Sequence, residues 1–207
     1  MSKLYITGIG PGSKDYLTLA AINVVKSSDI VIGSKRANDL FENVGAEKIN
    51  LHPEQIKEQI EYGIKNVKNG LNVCILSTGD PGFSGLLKTV IKMSKDVEIE
   101  VIPGISSIQL CAARLLLPWD SADLVTIHGK GVSKELISTI DNDKPTIILP
   151  NFNVKEIVNF LIDNGVNPLK KVAICEKLSY EDEKVVETSL EKVLNYNFSY
   201  MCVMVIY

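Results

Sequence analysis

Leu71-Asn72-Val73-Cys74-Ile75-Leu76-Ser77-Thr78-Gly79-Asp80-Pro81-Gly82 runs from an apolar segment straight into a Gly/Pro turn. Hydrophobicity that barely alternates with polar residues marks a strand covered on both faces, the hallmark of a parallel sheet sandwiched by helices. A helix is expected after the turn, from about Phe83 to Ser94. The same grammar appears upstream. Lys3–Thr7 reads as a strand opening into Gly8-Ile9-Gly10-Pro11-Gly12, followed by a helix from about Tyr16 to Lys26 with Leu17, Ala20, Ala21, Val24 and Val25 on one face. Asp29–Ile32 and Lys48–Leu51 are further strands, and Glu54–Lys68 is a helix with Pro53 at its start and Gly70 past its end. Downstream, the strand Val97–Ile102 closes on Pro103-Gly104, and a helix runs from Ser106 or Ser107 to Leu116. This order of strands and helices implies a parallel sheet, and right-handed crossovers place every glycine-containing turn on one sheet edge.

Pro118-Trp119 interrupts the pattern, so the domain boundary is expected there: residues 1–117 form an N-terminal α/β domain and residues 118–207 a C-terminal one. Beyond it, Leu124–His128 and Thr146–Leu149 read as strands around a helix at Lys134–Ile140. Asn153 and Glu156 have capping-box spacing before a helix at Val154–Asp163. After Pro168 the strands Val172–Cys175, Lys184–Thr188 and Tyr200–Ile206 follow with little helix between them. The second sheet is therefore expected to be mixed, with antiparallel strands.

The chain has 207 residues, 45% hydrophobic and 23% charged, with a formal charge of −3. That composition supports a real core, and mild acidity excludes a general nucleic-acid binder, which needs a basic stripe. No apolar run reaches a membrane-spanning length and no secretory leader precedes the first strand, so a cytoplasmic protein without membrane attachment is expected. Four cysteines (Cys74, Cys111, Cys175, Cys202) lie scattered in apolar stretches and read as buried free thiols.

Three turns carry candidate chemistry. Gly8-x-Gly10-Pro11-Gly12 between strand and helix exposes amides that can receive a polar ligand edge, and serves equally as a structural tight turn. It is neither a Rossmann fingerprint nor a Walker loop: the third glycine is misplaced, and the Gly-Lys-Ser/Thr ending is absent. In Thr78-Gly79-Asp80-Pro81-Gly82, Asp80 suits either a helix cap or a ligand contact. In Pro103-Gly104-Ile105-Ser106-Ser107 the two hydroxyls have the same two uses. Open α/β sheets bind ligands at the carboxyl ends of their strands, where all three turns are expected. His52 and His128 have no companion ligands for a metal, and no nucleophile elbow or triad is present. Such a site positions a ligand and brings little acid, base or nucleophile of its own.

The three motifs in this order and register resemble those of the tetrapyrrole (corrin/porphyrin) methylases. Ser106-Ser107-Ile108-Gln109, Ala113-Arg114-Leu115, Leu117-Pro118-Trp119 and His128-Gly129 are similar to the precorrin C5-methyltransferase branch of cobalamin biosynthesis. The resemblance implies two α/β domains, S-adenosylmethionine as methyl donor, and a corrinoid substrate bound with it in an interdomain cleft. It also implies a homodimer, and a separate C15-methyltransferase/decarboxylase partner, because the chain ends at Tyr207 without that domain. Carried over motif by motif, Gly79, Asp80 and Pro81 wrap the cofactor with Phe83 and Ser84 behind them. Ser106 and Ser107 meet its methionine part, and Leu149-Pro150 its adenosine. Lys177-Leu178 lies near a segment where members of the family carry a glycine that is absent here. Gly10, Pro11 and Gly12 face the tetrapyrrole.

Methyl transfer to an electron-rich carbon needs alignment and exclusion of water more than a strong base. His128, expected at a strand end, is the candidate for the final proton loss, and reads equally as a structural histidine. Arg36 and Arg114 are the two arginines among 22 basic residues and the candidate anchors for the substrate's carboxylates, although Arg114 suits a structural ion pair as well. Two other readings fit the same loops. One is a superfamily enzyme acting at another corrin position or on diphthamide precursors; the other is a non-catalytic module binding a nucleotide or anion.

Overall fold

The computed structural model describes residues 2–127, 131–150 and 153–207. The chain divides into two compact units, Met1–Ser106 and Ser107–Tyr207.

The first unit is built from β1 (Leu4–Gly8), α1 (Leu19–Ser27), β2 (Ile30–Gly33), α2 (Lys35–Asp39), β3 (Glu47–Asn50), α3 (Ile56–Lys68), β4 (Val73–Ser77), α4 (Leu87–Met93) and β5 (Ile99–Ile102). All five strands pair in parallel, in the order β3-β2-β4-β1-β5. The uninterrupted hydrophobicity of β4 has a direct cause. Val73 and Ile75 join Leu4, Ile6, Ile60 and Val90 on one face of the sheet, while Cys74 and Leu76 join Val25, Val31, Ala37 and Phe41 on the other. Both faces are covered, so neither can be polar.

The second unit contains α5 (Ser107–Arg114), β6 (Asp123–Thr126), α6 (Lys134–Ile140), β7 (Thr146–Leu149), α7 (Val154–Asp163), β8 (Lys171–Glu176), β9 (Lys184–Ser189) and β10 (Cys202–Ile206). Its sheet runs β6-β7-β10-β8-β9, with β6 and β7 parallel and the remaining pairs antiparallel, which is the mixed sheet expected. Asn153 caps α7 by accepting the Lys155 N–H at 3.0 Å, and its amide reaches Glu156. Within this unit Ile148, Ile157, Leu161, Ile174, Leu190 and Met204 form the centre of the core. All four cysteines are buried and free of disulfides.

Three local differences from the sequence reading matter for the site. Helix α1 begins at Leu19, later than Tyr16, because the Thr18 hydroxyl caps it by accepting the Ala21 N–H at 3.1 Å. Helix α4 begins at Leu87, four residues past Phe83, because Ser84 takes a left-handed backbone (φ 57°) that no helix continues through. Helix α2 has no counterpart in the sequence reading; Ser34 starts it by accepting the Ala37 N–H at 3.2 Å. Among the described residues no helix is long and apolar enough to cross a membrane.

Candidate functional site

Strands β4, β1 and β5 are neighbours, so their carboxyl ends bring the three Gly/Pro turns side by side. The turns touch through their backbones. Gly79 donates its N–H to the Gly10 carbonyl at 2.8 Å, and Gly10 returns a longer bond to the Gly79 carbonyl at 3.4 Å. Both glycines are left-handed, with φ of 74° at Gly10 and 68° at Gly79. A Cβ on Gly8 would stand 2.5 Å from the Gly104 nitrogen, and one on Gly104 would stand 2.2 Å from the Gly79 oxygen. Side chains at either position are excluded by main chain that has nowhere to go. Gly79 itself is buried but less crowded: a Cβ there would meet only the Ser106 Cα, at an ordinary contact of 3.7 Å.

Asp80 locks this arrangement. One carboxylate oxygen accepts the Gly82 N–H at 2.8 Å within its own turn, and the other accepts the Gly104 N–H at 3.1 Å across to the next. Of the two readings open for Asp80, the cap of the following helix is therefore corrected. With α4 delayed to Leu87, its carboxylate joins two turns instead.

Among the sequence-predicted residues of the first unit, the structure brings together Gly10, Gly79, Asp80 and Ser106, with Gly104 between them. Pro11 and Pro81 are buried behind the turns, Gly12 and Phe83 are half-buried, and Ser84 is exposed. Arg36 is exposed in α2, which follows β2, the neighbour of β4, at the same edge of the parallel sheet.

In the second unit, Ser107 is the first residue of α5, Leu149 ends β7 half-buried, and Pro150 is buried. Leu178 is buried while Lys177 is partly exposed and ion-paired with Asp182. Lys177 has a φ of 48°. The backbone there takes the left-handed form that glycine favours even though the residue is lysine. Arg114 sits in the last turn of α5 and pairs with Glu183, its Nε on Oε1 and its Nη2 on Oε2 at 3.3 Å. The Arg114 guanidinium holds the Glu183 carboxyl below the usual carboxylate range. Glu183 went unnoticed in the sequence, where nothing local joins it to an arginine 69 positions away. His128 lies outside the described residues.

Chemically, the first unit gathers three main-chain turns around Gly79, with the N–H groups of Gly10, Gly79, Gly82 and Gly104 and the Asp80 carboxylate engaged with one another. No group of three or more His, Cys, Asp or Glu side chains among the described residues could hold a metal ion.

Comparison with known proteins gives three kinds of likeness. The family model described as Tetrapyrrole (Corrin/Porphyrin) Methylases matches residues 3–194. A probable cobalt-precorrin-7 C(5)-methyltransferase from Methanocaldococcus jannaschii is 47% identical over 98% of this chain and 96% of its own length. A cobalt-precorrin-4 C(11)-methyltransferase from the same organism is 30% identical over 92% of this chain and 80% of its own. Among solved structures, the precorrin-6Y methylase of Archaeoglobus fulgidus superposes with a TM-score of 0.77 at 22% identity, covering 98% of this chain and 96% of that one. The uroporphyrin-III C-methyltransferase of Thermus thermophilus, complexed with S-adenosylhomocysteine, superposes with a TM-score of 0.81 at 21% identity, covering 99% of this chain and 92% of that one.

Proposed function

The chain belongs to the tetrapyrrole (corrin/porphyrin) methylases, and on that footing we propose that it transfers a methyl group from S-adenosylmethionine to C5 of cobalt-precorrin-7, or of its metal-free equivalent, in cobalamin biosynthesis. The observation that carries the assignment to C5 is the full-length likeness at 47% identity to the M. jannaschii relative of that name. The geometry supports the reaction class. The space beside Gly79, where a Cβ would meet only the Ser106 Cα, leaves room for a ligand edge to lie against the turns.

When bound, S-adenosylmethionine supplies an electrophilic sulfonium methyl. Everything else falls to residues that hold and orient. In the first unit, Gly79, Asp80, Pro81, Phe83, Ser84 and Ser106 form the cofactor side, with Asp80 acting through the backbone it fixes. Gly10, Pro11 and Gly12 face the tetrapyrrole, and Arg36 meets one of its carboxylates. In the second unit, Ser107, Leu149, Pro150, Lys177 and Leu178 are the cofactor contacts. Alignment and exclusion of water are sufficient for this step, because well-oriented reactants gain about 7–11 kcal/mol. His128 assists the final proton loss. The same reading includes a homodimer in the cytoplasm and a separate enzyme for the C15 methylation and decarboxylation.

Isothermal titration with S-adenosylhomocysteine tests the donor site; absence of heat at high micromolar ligand overturns the assignment of S-adenosylmethionine. Incubation with candidate corrinoids and the donor, followed by NMR of the product, tests the position.

A further inference from the structure

The turn joining β8 to β9, residues 177–183, holds two non-glycine residues with left-handed backbone, Lys177 (φ 48°) and Ser179 (φ 73°). Each such residue is strained and persists only where its surroundings over-determine it. Here the surroundings are explicit. Lys177 donates its N–H to the Met201 carbonyl at 2.8 Å, and Tyr180 donates to the Lys177 carbonyl at 3.0 Å. Glu183 accepts the Ser179 N–H at 2.7 Å, and Leu178 is buried.

The end of α5 is strained in the same way. Leu117 donates its N–H to Ala112 at 2.9 Å and Leu116 to Ala113 at 3.3 Å, the pattern of a helix end whose left-handed residue is usually glycine. That position is occupied by Leu116, with φ of 50° and 90% of the residue exposed. Arg114, two residues earlier, forks onto Glu183. One carboxylate therefore binds both strained segments: Glu183 accepts from Ser179 in the turn and from Arg114 on the helix.

We infer that Arg114 and Glu183 form a clamp that positions the methyl donor, by fixing the end of α5 against the 177–183 turn. The inference rests on the cofactor reading above, in which α5 contributes Ser107 and the turn contributes Lys177 and Leu178. Neither clamp residue touches the donor; both act through the backbone they hold. The pair is half-exposed, with side-chain exposures of 38% for Arg114 and 19% for Glu183, so its effect on overall stability is small. Its effect on the local conformation of two strained segments is what binding reads.

The test is titration of S-adenosylhomocysteine into the full chain and its Arg114→Gln, Glu183→Gln and doubly substituted variants, with steady-state kinetics alongside. Each single substitution is expected to weaken binding about fivefold, and the double substitution no further, because both remove one interaction. The KM for S-adenosylmethionine rises in parallel, while kcat and the KM for the corrinoid stay unchanged. Arg114→Lys, which keeps the charge and loses the fork, recovers part of the affinity. Lys171→Gln, which breaks the Lys171–Glu187 ion pair elsewhere in the same unit, leaves affinity unchanged and controls for a general loss of surface charge. Wild-type affinity in the single variants, additive losses in the double, or a raised corrinoid KM with donor binding intact overturns the clamp. Failure of the unmodified chain to bind S-adenosylhomocysteine overturns the donor-site reading and the clamp with it.

Discussion

Replacing Gly104 with alanine probes the meeting of the three turns most sharply. The new Cβ would stand 2.2 Å from the Gly79 oxygen and 2.7 Å from the Gly8 carbonyl carbon and Cα. All of these atoms are main chain, and ordinary contact at 3.4–4 Å would need more than an ångström of extra distance at the Gly79 oxygen. Forcing such an overlap costs about 1–3 kcal/mol. Displacing Gly104 also breaks its N–H bond to Asp80, a charge-assisted bond worth roughly 1.5–3 kcal/mol before allowing for solvent at this half-buried carboxylate. The combined loss of roughly 2–5 kcal/mol leaves a typical domain of 5–15 kcal/mol folded but weakened. At about 2–4 °C per kcal/mol for a chain of this size, the melting temperature falls by roughly 4–20 °C. Affinity for S-adenosylhomocysteine falls at least about tenfold, equal to 1.4 kcal/mol. Gly70→Ala is the matched control. Its φ of 93° strains any side chain, but nothing stands within 4 Å of its Cβ, so it loses only about 1–2 kcal/mol and keeps full affinity. Calorimetry on both variants checks the pair. A Gly104→Ala protein that melts and binds like the unmodified chain would refute the backbone contact from which the site is built.

Asp80→Asn puts an amide N–H against a backbone N–H at one of its two bonds. Thermal melts should fall by about 1–3 kcal/mol equivalent, and S-adenosylhomocysteine affinity should drop more than that stability loss alone would produce; a stability loss with intact affinity would make Asp80 a purely structural tie. Arg36→Ala should raise the corrinoid KM while leaving donor affinity intact, as measured by steady-state kinetics and calorimetry; an unchanged KM discards Arg36 as an anchor. Glu183 has a carboxyl held down by Arg114, so its contribution to stability is present above the ordinary carboxylate pKa and lost as pH falls through the depressed value. The melting-temperature gap between the unmodified chain and Glu183→Gln should therefore close on acidification, and a gap that widens contradicts the pairing.

The sheets and the three turns were legible because their signals are local. A continuous apolar strand and a Gly/Pro break mark β4 and its turn, and the motif order carries the family likeness. What was not legible depends on contacts between distant residues or on backbone geometry without a residue-type signature. Asp80 reads evenly as a helix cap or a ligand contact, because nothing in Phe83-Ser84-Gly85 announces that Ser84 turns left-handed and delays α4. Helix α2 was missed because five residues give no periodicity, although Ser34 is the cap that begins it. Arg114 read evenly as anchor or ion-pair partner; its fork faces Glu183, which only the folding of the second unit brings near. The left-handed Lys177 is invisible for the same reason, since lysine gives no hint of glycine-like backbone.

The carbon that receives the methyl group is the most direct test of the C5 assignment. Incubation of the protein with cobalt-precorrin-7 and S-adenosylmethionine labelled with carbon-13 at the methyl, followed by NMR of the corrinoid, should show one new methyl attached at C5. Label at any other carbon, or no transfer by a protein that binds S-adenosylhomocysteine, would contradict it.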